Sequence, residues 1–394
     1  MRQARPGILR HRIVLLCAGA LLLGVTLAAC GSSSPSSSSS STAASGSAGA
    51  GSGTKAKAKV KVAWLYYGPM NDGGYNVSQW RKAQALIASQ LGGQVQEVDI
   101  ANVPYSQQAT QAAAQAIRSG ANLVVDTVAA GTLFTNACGQ FPKADCIEVG
   151  PAGSYPNATL QYPPNVSGVY HQFWNLEYVM GIVAGLMTKS NTVGFVAPYK
   201  LPAIIGSADA FELGCQKVNP ACKEKLIVTN DYFNPPAATQ AAQTLVNAGA
   251  DVLHGWTDDP SFCEVAQKRG VRAIGEFLDY RSVCPTAFVT SALWDYGPFY
   301  LKEMKLLVSG KWTGHRMTLL PLGGGADVAP WGNNVPAKVK AAATTVEHQI
   351  EGGKNPFVGP IYDNTGKLRV PAGTSLSPAF LFNKWTWYVK GITA

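Results

Sequence analysis

From Val60 onward the chain alternates short apolar runs with amphipathic stretches, and partway along that alternation starts again. Val62-Ala63-Trp64-Leu65-Tyr66-Tyr67 reads as a buried strand, 79–90 as a helix, 94–100 as an alternating strand, 106–119 as an Ala/Gln-rich helix and 123–127 as a further strand. Runs 146–149 and 166–170 continue the series. The second series predicts helices over 175–189, 203–218, 236–248 and 260–269. Its strands are predicted over 192–196, 226–229, 251–256 and 271–275. Strands that alternate with helices imply parallel sheets covered on both faces. Two phrases repeat the same device, a helix, a glycine cap and a strand: Ala116-Ile117-Arg118-Ser119-Gly120-Ala121-Asn122-Leu123-Val124-Val125 and Leu245-Val246-Asn247-Ala248-Gly249-Ala250-Asp251-Val252-Leu253. The chain is therefore expected to be α/β with two similar lobes. Ligands of such sheets sit outside the carboxyl ends of the strands, so facing lobes place both sets of loops around one cleft.

The N-terminus reads as an address. Arg2, Arg5, Arg10 and Arg12 precede the apolar run 13–23, which is short for a membrane span of about 20 residues. Leu27-Ala28-Ala29-Cys30 resembles a bacterial lipobox, so residues 1–29 are expected to be a lipoprotein signal peptide, with Cys30 lipidated and anchoring the chain to the cell membrane. A plain signal peptide cut near Ala29 is the alternative. Residues 30–58 are expected to be a tether, because their Ser/Ala/Gly composition buries too little apolar surface to offset ordering entropy. The formal charge of +9 falls to +5 without the four arginines and to +1 without Lys55, Lys57, Lys59 and Lys61. A near-neutral body with dispersed cations does not suit nucleic acid.

Six cysteines follow Cys17 and Cys30 and fall as local pairs: Cys138 with Cys146, Cys215 with Cys222, and Cys263 with Cys284. Six cysteines allow fifteen connectivities, and the local pairing is favoured only because its loops are short. Disulfides fit an extracytoplasmic compartment. No C-x-x-C occurs and His171, His254, His315 and His348 are scattered, so no metal ligand set is expected. No nucleophile elbow or Walker loop is present, and Gly323-Gly324-Gly325 reads as a loop, so no enzyme and no cofactor is expected.

Strand-end loops carry aromatics and acids. Tyr67, Asp72, Tyr75 and Asn76 follow the first strand, Thr127 ends another, and Tyr199, Trp256, Asp258, Asp279 and Trp294 stand at later ends. Flat rings with carboxylates suit a planar ligand that donates hydrogen bonds, such as a nucleobase. For each ring the competing role is core packing, and for each Asp a helix cap.

These loops also carry a resemblance. Leu65-Tyr66-Tyr67-Gly68-Pro69-Met70-Asn71-Asp72-Gly73-Gly74-Tyr75-Asn76, Tyr178-Val179-Met180-Gly181-Ile182-Val183-Ala184-Gly185, Thr257-Asp258-Asp259-Pro260 and Thr290-Ser291-Ala292-Leu293-Trp294-Asp295-Tyr296-Gly297-Pro298 resemble the basic membrane protein family of substrate-binding lipoproteins, in its purine- and nucleoside-binding group. The resemblance implies the periplasmic-binding-protein type I fold: two Rossmann-like lobes with parallel sheets joined by crossover strands. It implies an N-terminal lobe of 59–172 with 286–316, a C-terminal lobe of 173–285 with 317–394, and an ABC permease as partner. It also implies that Tyr75 and Tyr199 stack on a base, Asp72 and Thr127 meet its edge, and Asp279 meets a ribose or the base's far side. Where nucleoside binders of the family often hold a ribose with lysine, this chain offers Trp294, which favours a free base such as adenine. A ligand sensor, or a binding protein for a sugar or other solute, shares the same fold and cleft.

Overall fold

The protein was analysed as a computed structural model that describes residues 60–150 and 162–394. The expected signal segment, Cys30 and the tether lie outside the described residues. The first lobe begins with β1 (Val60–Leu65), α1 (Tyr75–Leu91), β2 (Val95–Ile100) and α2 (Gln107–Arg118). It continues with β3 (Leu123–Asp126), α3 (Thr132–Gly139), β4 (Asp145–Val149) and β5 (Val166–His171). The second lobe runs through α4 (Phe173–Met187), β6 (Thr192–Ala197), α5 (Pro202–Val218), β7 (Lys223–Val228), α6 (Pro235–Asn247), β8 (Val252–Gly255), α7 (Ser261–Arg269), β9 (Arg272–Phe277) and β10 (Phe288–Trp294). After it come α8 (Gly297–Val308), β11 (Arg316–Leu320), β12 (Ala326–Val328), α9 (Ala337–Glu351), β13 (Ile361–Tyr362), β14 (Leu368–Val370), α10 (Pro378–Asn383) and β15 (Ile392–Thr393). None of the described helices is long and apolar enough to cross a membrane.

The first sheet has the order β11-β5-β4-β3-β1-β2 and the second β12-β10-β9-β8-β6-β7-β15. Within these two sheets every pairing is parallel except β10 with β12. The central strands read as continuous apolar runs because helices cover both faces; Leu123 to Asp126 and Val252 to Gly255 are buried throughout. Ser106 caps α2 by accepting the Gln108 N–H, and Asn234 caps α6 by accepting that of Ala237, so each helix opens where its first orphan donors are met.

In the second lobe α4 and α5 cross backbone against backbone. A Cβ at Gly181 would stand 1.9 Å from the Phe211 carbonyl oxygen, and one at Gly214 would stand 2.1 Å from that of Tyr178. Only glycine permits that approach, which is why the Gly181 and Gly214 phrases sit in otherwise apolar helices.

Three segments join the lobes: β5 to α4, β10 to α8, and β11 to β12. They are tied to one another. The Gln172 N–H donates to the Leu320 carbonyl at 2.9 Å and the Asp295 N–H to that of Gly325 at 2.7 Å. His171 Nε2 lies 2.8 Å from the same Gly325 oxygen. Burial pushes the His171 imidazole down to about 3, so it is neutral and donates there. The chain returns to the first lobe in α8, where Tyr300 donates its hydroxyl to Gln79 at 2.7 Å and Lys82 pairs with Asp295.

The lobe boundaries differ from those expected. Residues 286–316 were assigned to the first lobe, but β10 pairs with β9 and belongs to the second sheet. Residues 317–320 were assigned to the second lobe, but β11 pairs with β5 in the first. β10 is an apolar strand with six of its seven residues buried, which a place inside the second sheet satisfies. Helix α3 goes beyond the predicted elements, and α1 opens four residues before its predicted start, since the polar-looking Tyr75-Asn76-Val77-Ser78 already forms its first turn.

Candidate functional site in the seam between the lobes

The loop after β1 carries Gly73-Gly74 onto the second lobe. A Cβ at Gly74 would lie 2.7 Å from the Asp258 backbone, and one at Gly73 would lie 3.4 Å from the Pro260 ring. With φ at +83°, Gly73 also takes a conformation that side chains resist. The two glycines thus let the opposite lobe approach the backbone of this loop.

Asp72 holds this turn. Its Oδ1 accepts the N–H groups of Gly74 at 2.9 Å and Val77 at 3.3 Å, and Oδ2 accepts that of Asn76 at 2.8 Å. These are orphan donors of the first turn of α1, so Asp72 does the work of a helix cap. Burial raises its carboxyl to about 6 against the pull of those N–H groups. The Asn76 amide donates to the carbonyls of Tyr67 and Pro69 and braces the same loop.

Behind the turn, aromatic rings from both lobes meet. Tyr75 at the start of α1 lies 5.6 Å from Phe277 and 6.2 Å from Trp294, centroid to centroid. Trp294 in turn lies 5.0 Å from Phe277, 5.7 Å from Trp256 and 5.3 Å from Tyr170. All these pairs are edge-to-face, the arrangement the ring quadrupoles favour. Trp256, Phe277 and Trp294 come from the carboxyl ends of β8, β9 and β10, and Tyr170 from that of β5. The Trp256 indole N–H is buried and makes no hydrogen bond. Phe277 has φ at +71°, a strained conformation for a large side chain, and such strain gathers where a site over-determines the backbone.

Beside the nest stands Asp258, 4% exposed. Its N–H donates to the Tyr232 carbonyl at 2.8 Å, and among the described residues its carboxyl makes no hydrogen bond. Burial, and then the nearby carboxylates of Asp72, Asp259 and Asp231, hold that carboxyl well above the usual range. Tyr232 carries the ring face outward, 4.9 Å from Tyr199 and 6.0 Å from Tyr67.

Of the expected site residues, the fold gathers Tyr75, Trp256, Trp294 and Asp258 at the nest. Asp72 and Asn76 are placed in the loop that supports it, and Tyr67 and Tyr199 at its outer edge. Two stand apart. Thr127 donates its hydroxyl to the Leu65 carbonyl at 2.7 Å, and Asp279 pairs with Arg281 at 2.6 Å near the surface. Tyr170, Phe277 and Tyr232 were not singled out as site residues. For Phe277 a signal existed, since it sits two residues before Asp279 at a strand end; Tyr170 looked like ordinary strand core.

The expected cysteine pairs each stand at disulfide distance, with Cα separations of 6.4 Å for 138 and 146, 6.0 Å for 215 and 222, and 5.7 Å for 263 and 284. The nest itself is covered, with Trp256 at 4% and Trp294 at 2% exposure. Solvent reaches the seam through a groove lined by Asp72, Phe233, Pro235, Asp259 and Pro260. A ligand for the nest therefore needs the lobes to part about the three joining segments.

Comparison with known proteins agrees with this architecture. The Bmp family model, described as ABC transporter substrate-binding protein PnrA-like, matches residues 59–319. A purine-binding protein of Brucella abortus is 28% identical over 334 residues, covering 84% of this chain and 92% of its own. A putative ABC transporter glucose-binding protein of Haloferax volcanii is 27% identical over 255 residues, 61% of each chain. The solved structure of an ABC transporter solute-binding protein from Conexibacter woesei superposes with a TM-score of 0.60 at 24% identity, covering 75% of this chain and 97% of its own. Its likeness establishes the two-lobed type I periplasmic-binding-protein fold.

Proposed function

The chain belongs to the Bmp family of PnrA-like ABC transporter substrate-binding proteins, and on that footing we propose that it captures a purine base or nucleoside between its lobes and delivers it to an ABC permease. The observation that carries the ligand class is the nest of Tyr75, Tyr170, Trp256, Phe277 and Trp294 beside the Asp258 carboxyl. Flat rings offer stacking surface to a flat heterocycle, the carboxyl meets its hydrogen-bonding edge, and the buried Trp256 N–H awaits an acceptor. The purine-binding relative from Brucella abortus supports the same class. Trp294 in place of a cation favours a free base over a nucleoside. In this reading Tyr75 stacks on the base, Asp258 takes the edge role, Asp72 shapes the loop, and Tyr67 and Tyr199 close the mouth.

Members of this family work outside the cytoplasm. Here we propose that residues 1–29 direct export, that Cys30 carries the lipid, that 30–58 tether the body to the membrane, and that the three cysteine pairs are disulfides formed in that compartment. No chemistry is performed on the ligand: contacts to both lobes stabilise the closed form, and the permease reads that form.

Titration calorimetry on Tyr75→Ala tests the stacking. Its affinity for adenine is expected to fall by more than about 1 kcal/mol relative to wild type. Asp258→Asn is expected to weaken binding while melting near the wild-type temperature. Wild-type affinity in both variants would remove the nest as the ligand site.

A further inference from the structure

Directly behind the nest, in the core of the second lobe, the fold assembles three side chains that lie far apart in sequence. His254 on β8 has its Nε2 3.0 Å from Glu177 Oε2 on α4 and 3.6 Å from Glu276 Oε2 on β9. The three ligand atoms lie within 4.8 Å of one another, and all three residues are at most 1% exposed. We propose that Glu177, His254 and Glu276 form a binding site for a divalent transition cation of the zinc class.

Four observations carry this. First, His254 Nδ1 lies 3.0 Å from the Ile274 carbonyl oxygen, which can only accept. That bond places the ring proton on Nδ1 and turns the Nε2 lone pair toward the carboxylates, the backbone-anchored arrangement found behind metal-ligating histidines. Second, the ring is fixed: Phe211 stacks on it at 4.9 Å with planes 7° apart, and Phe195 meets it edge-on at 5.0 Å. Third, neither carboxylate pairs with a lysine or arginine among the described residues, and Glu177 Oε1 makes no hydrogen bond although it is fully buried. Fourth, the charges balance, because two carboxylates and a neutral imidazole need two positive charges. Either protons supply them or one divalent ion does, and the ion satisfies the free oxygens as well. One nitrogen and two carboxylates is a ligand set that zinc accepts, with second carboxylate oxygens able to complete the shell.

The other buried group of similar make-up, Glu212 with Cys215 and Cys222, is excluded because its two sulfurs are joined to each other. An ion at the first site fixes the end of β9, where Glu276 immediately precedes the strained Phe277 of the nest. The test uses no purine, so it stands apart from the ligand assignment.

Protein unfolded in chelator is refolded with and without ZnCl2, desalted, and assayed for retained zinc by elemental mass spectrometry and for Tm. The expected result is about one zinc per chain and a Tm raised by several degrees, since such a site forms together with the fold. E276Q, E177Q and H254Q, checked for native circular dichroism, are expected to retain at least about tenfold less zinc. Wild-type protein that refolds without retaining zinc overturns the proposal, whatever the variants do. So does equal retention by wild type and the three variants.

Discussion

Trp294→Ala is expected to abolish detectable ligand binding and to lower the stability of the protein by about 3 to 5 kcal/mol, the range for removing a buried tryptophan. The effect is large because this ring belongs to two structures at once. Its edges and faces meet Tyr75 and Tyr170 of the first lobe and Trp256 and Phe277 of the second, and His171 lies 4.8 Å away. It is also the last residue of β10, where the chain leaves the second sheet for α8, and Asp295 just after it bonds to Gly325 in the neighbouring joining segment. Removing the ring opens the nest and loosens the hinge together. Trp294→Phe keeps a ring in place and is expected to retain most of the stability while binding more weakly. Calorimetry and chemical denaturation of both variants check this, and an alanine variant that binds adenine like wild type contradicts it.

Stability is expected to fall as pH rises from 6.5 to 8.5. Burial holds Asp126 up to about 7 and Glu97 up to about 7, and Glu212 up to about 8, while Glu148, Asp209 and Glu224 stand well above the carboxylate range for the same first reason. In the unfolded chain these groups lose their protons near pH 4. Through the interval above that, the folded state binds more protons, so each rise in pH favours unfolding. His171 works in the opposite direction, since its folded value is depressed to about 3 while the unfolded imidazole titrates near 6.5. That opposition has halved by about pH 6.5 and is gone roughly a unit above it, so across the window the more numerous carboxylates outweigh it. Melting curves are expected to show Tm dropping by at least about 5 °C across the window. Glu212→Gln, whose side chain stays neutral, is expected to flatten part of the slope. A Tm that is level or rising from pH 6.5 to 8.5 contradicts the account.

Much of the fold was legible because its signals are local. A buried parallel strand must be apolar along its length, as Leu123 to Asp126 nearly is, and a helix that ends in Gly120 or Gly249 before a strand announces both elements. What stayed hidden depends on partners distant in the chain. Whether β10 joins the first or second sheet is decided by which edge accepts it, and no local pattern records that. Asp72 and Asp258 look alike as loop aspartates, yet one turns back onto its own N–H groups while the other is buried among the carboxylates of Asp72, Asp259 and Asp231. His254 offers no ligand spacing in the sequence; its neighbours Glu177 and Glu276 stand on other elements and meet it only after the sheet forms. Tyr75 and Trp294 were legible because one follows Gly73-Gly74 in the loop after β1 and the other ends a strand just before the Gly297-Pro298 turn, places where a core role is less natural.

The central claim, that the nest between the lobes holds a planar heterocycle, is tested most directly by a thermal-shift panel on the body from Thr54 onward against adenine, hypoxanthine, adenosine, pyrimidines, glucose and amino acids, because a ligand that binds only the folded state raises its Tm. The account predicts a saturable rise with a purine, larger for a free base than for its nucleoside, and lost in Trp294→Ala. A rise with glucose and none with any purine would contradict it, keeping the fold and overturning the ligand.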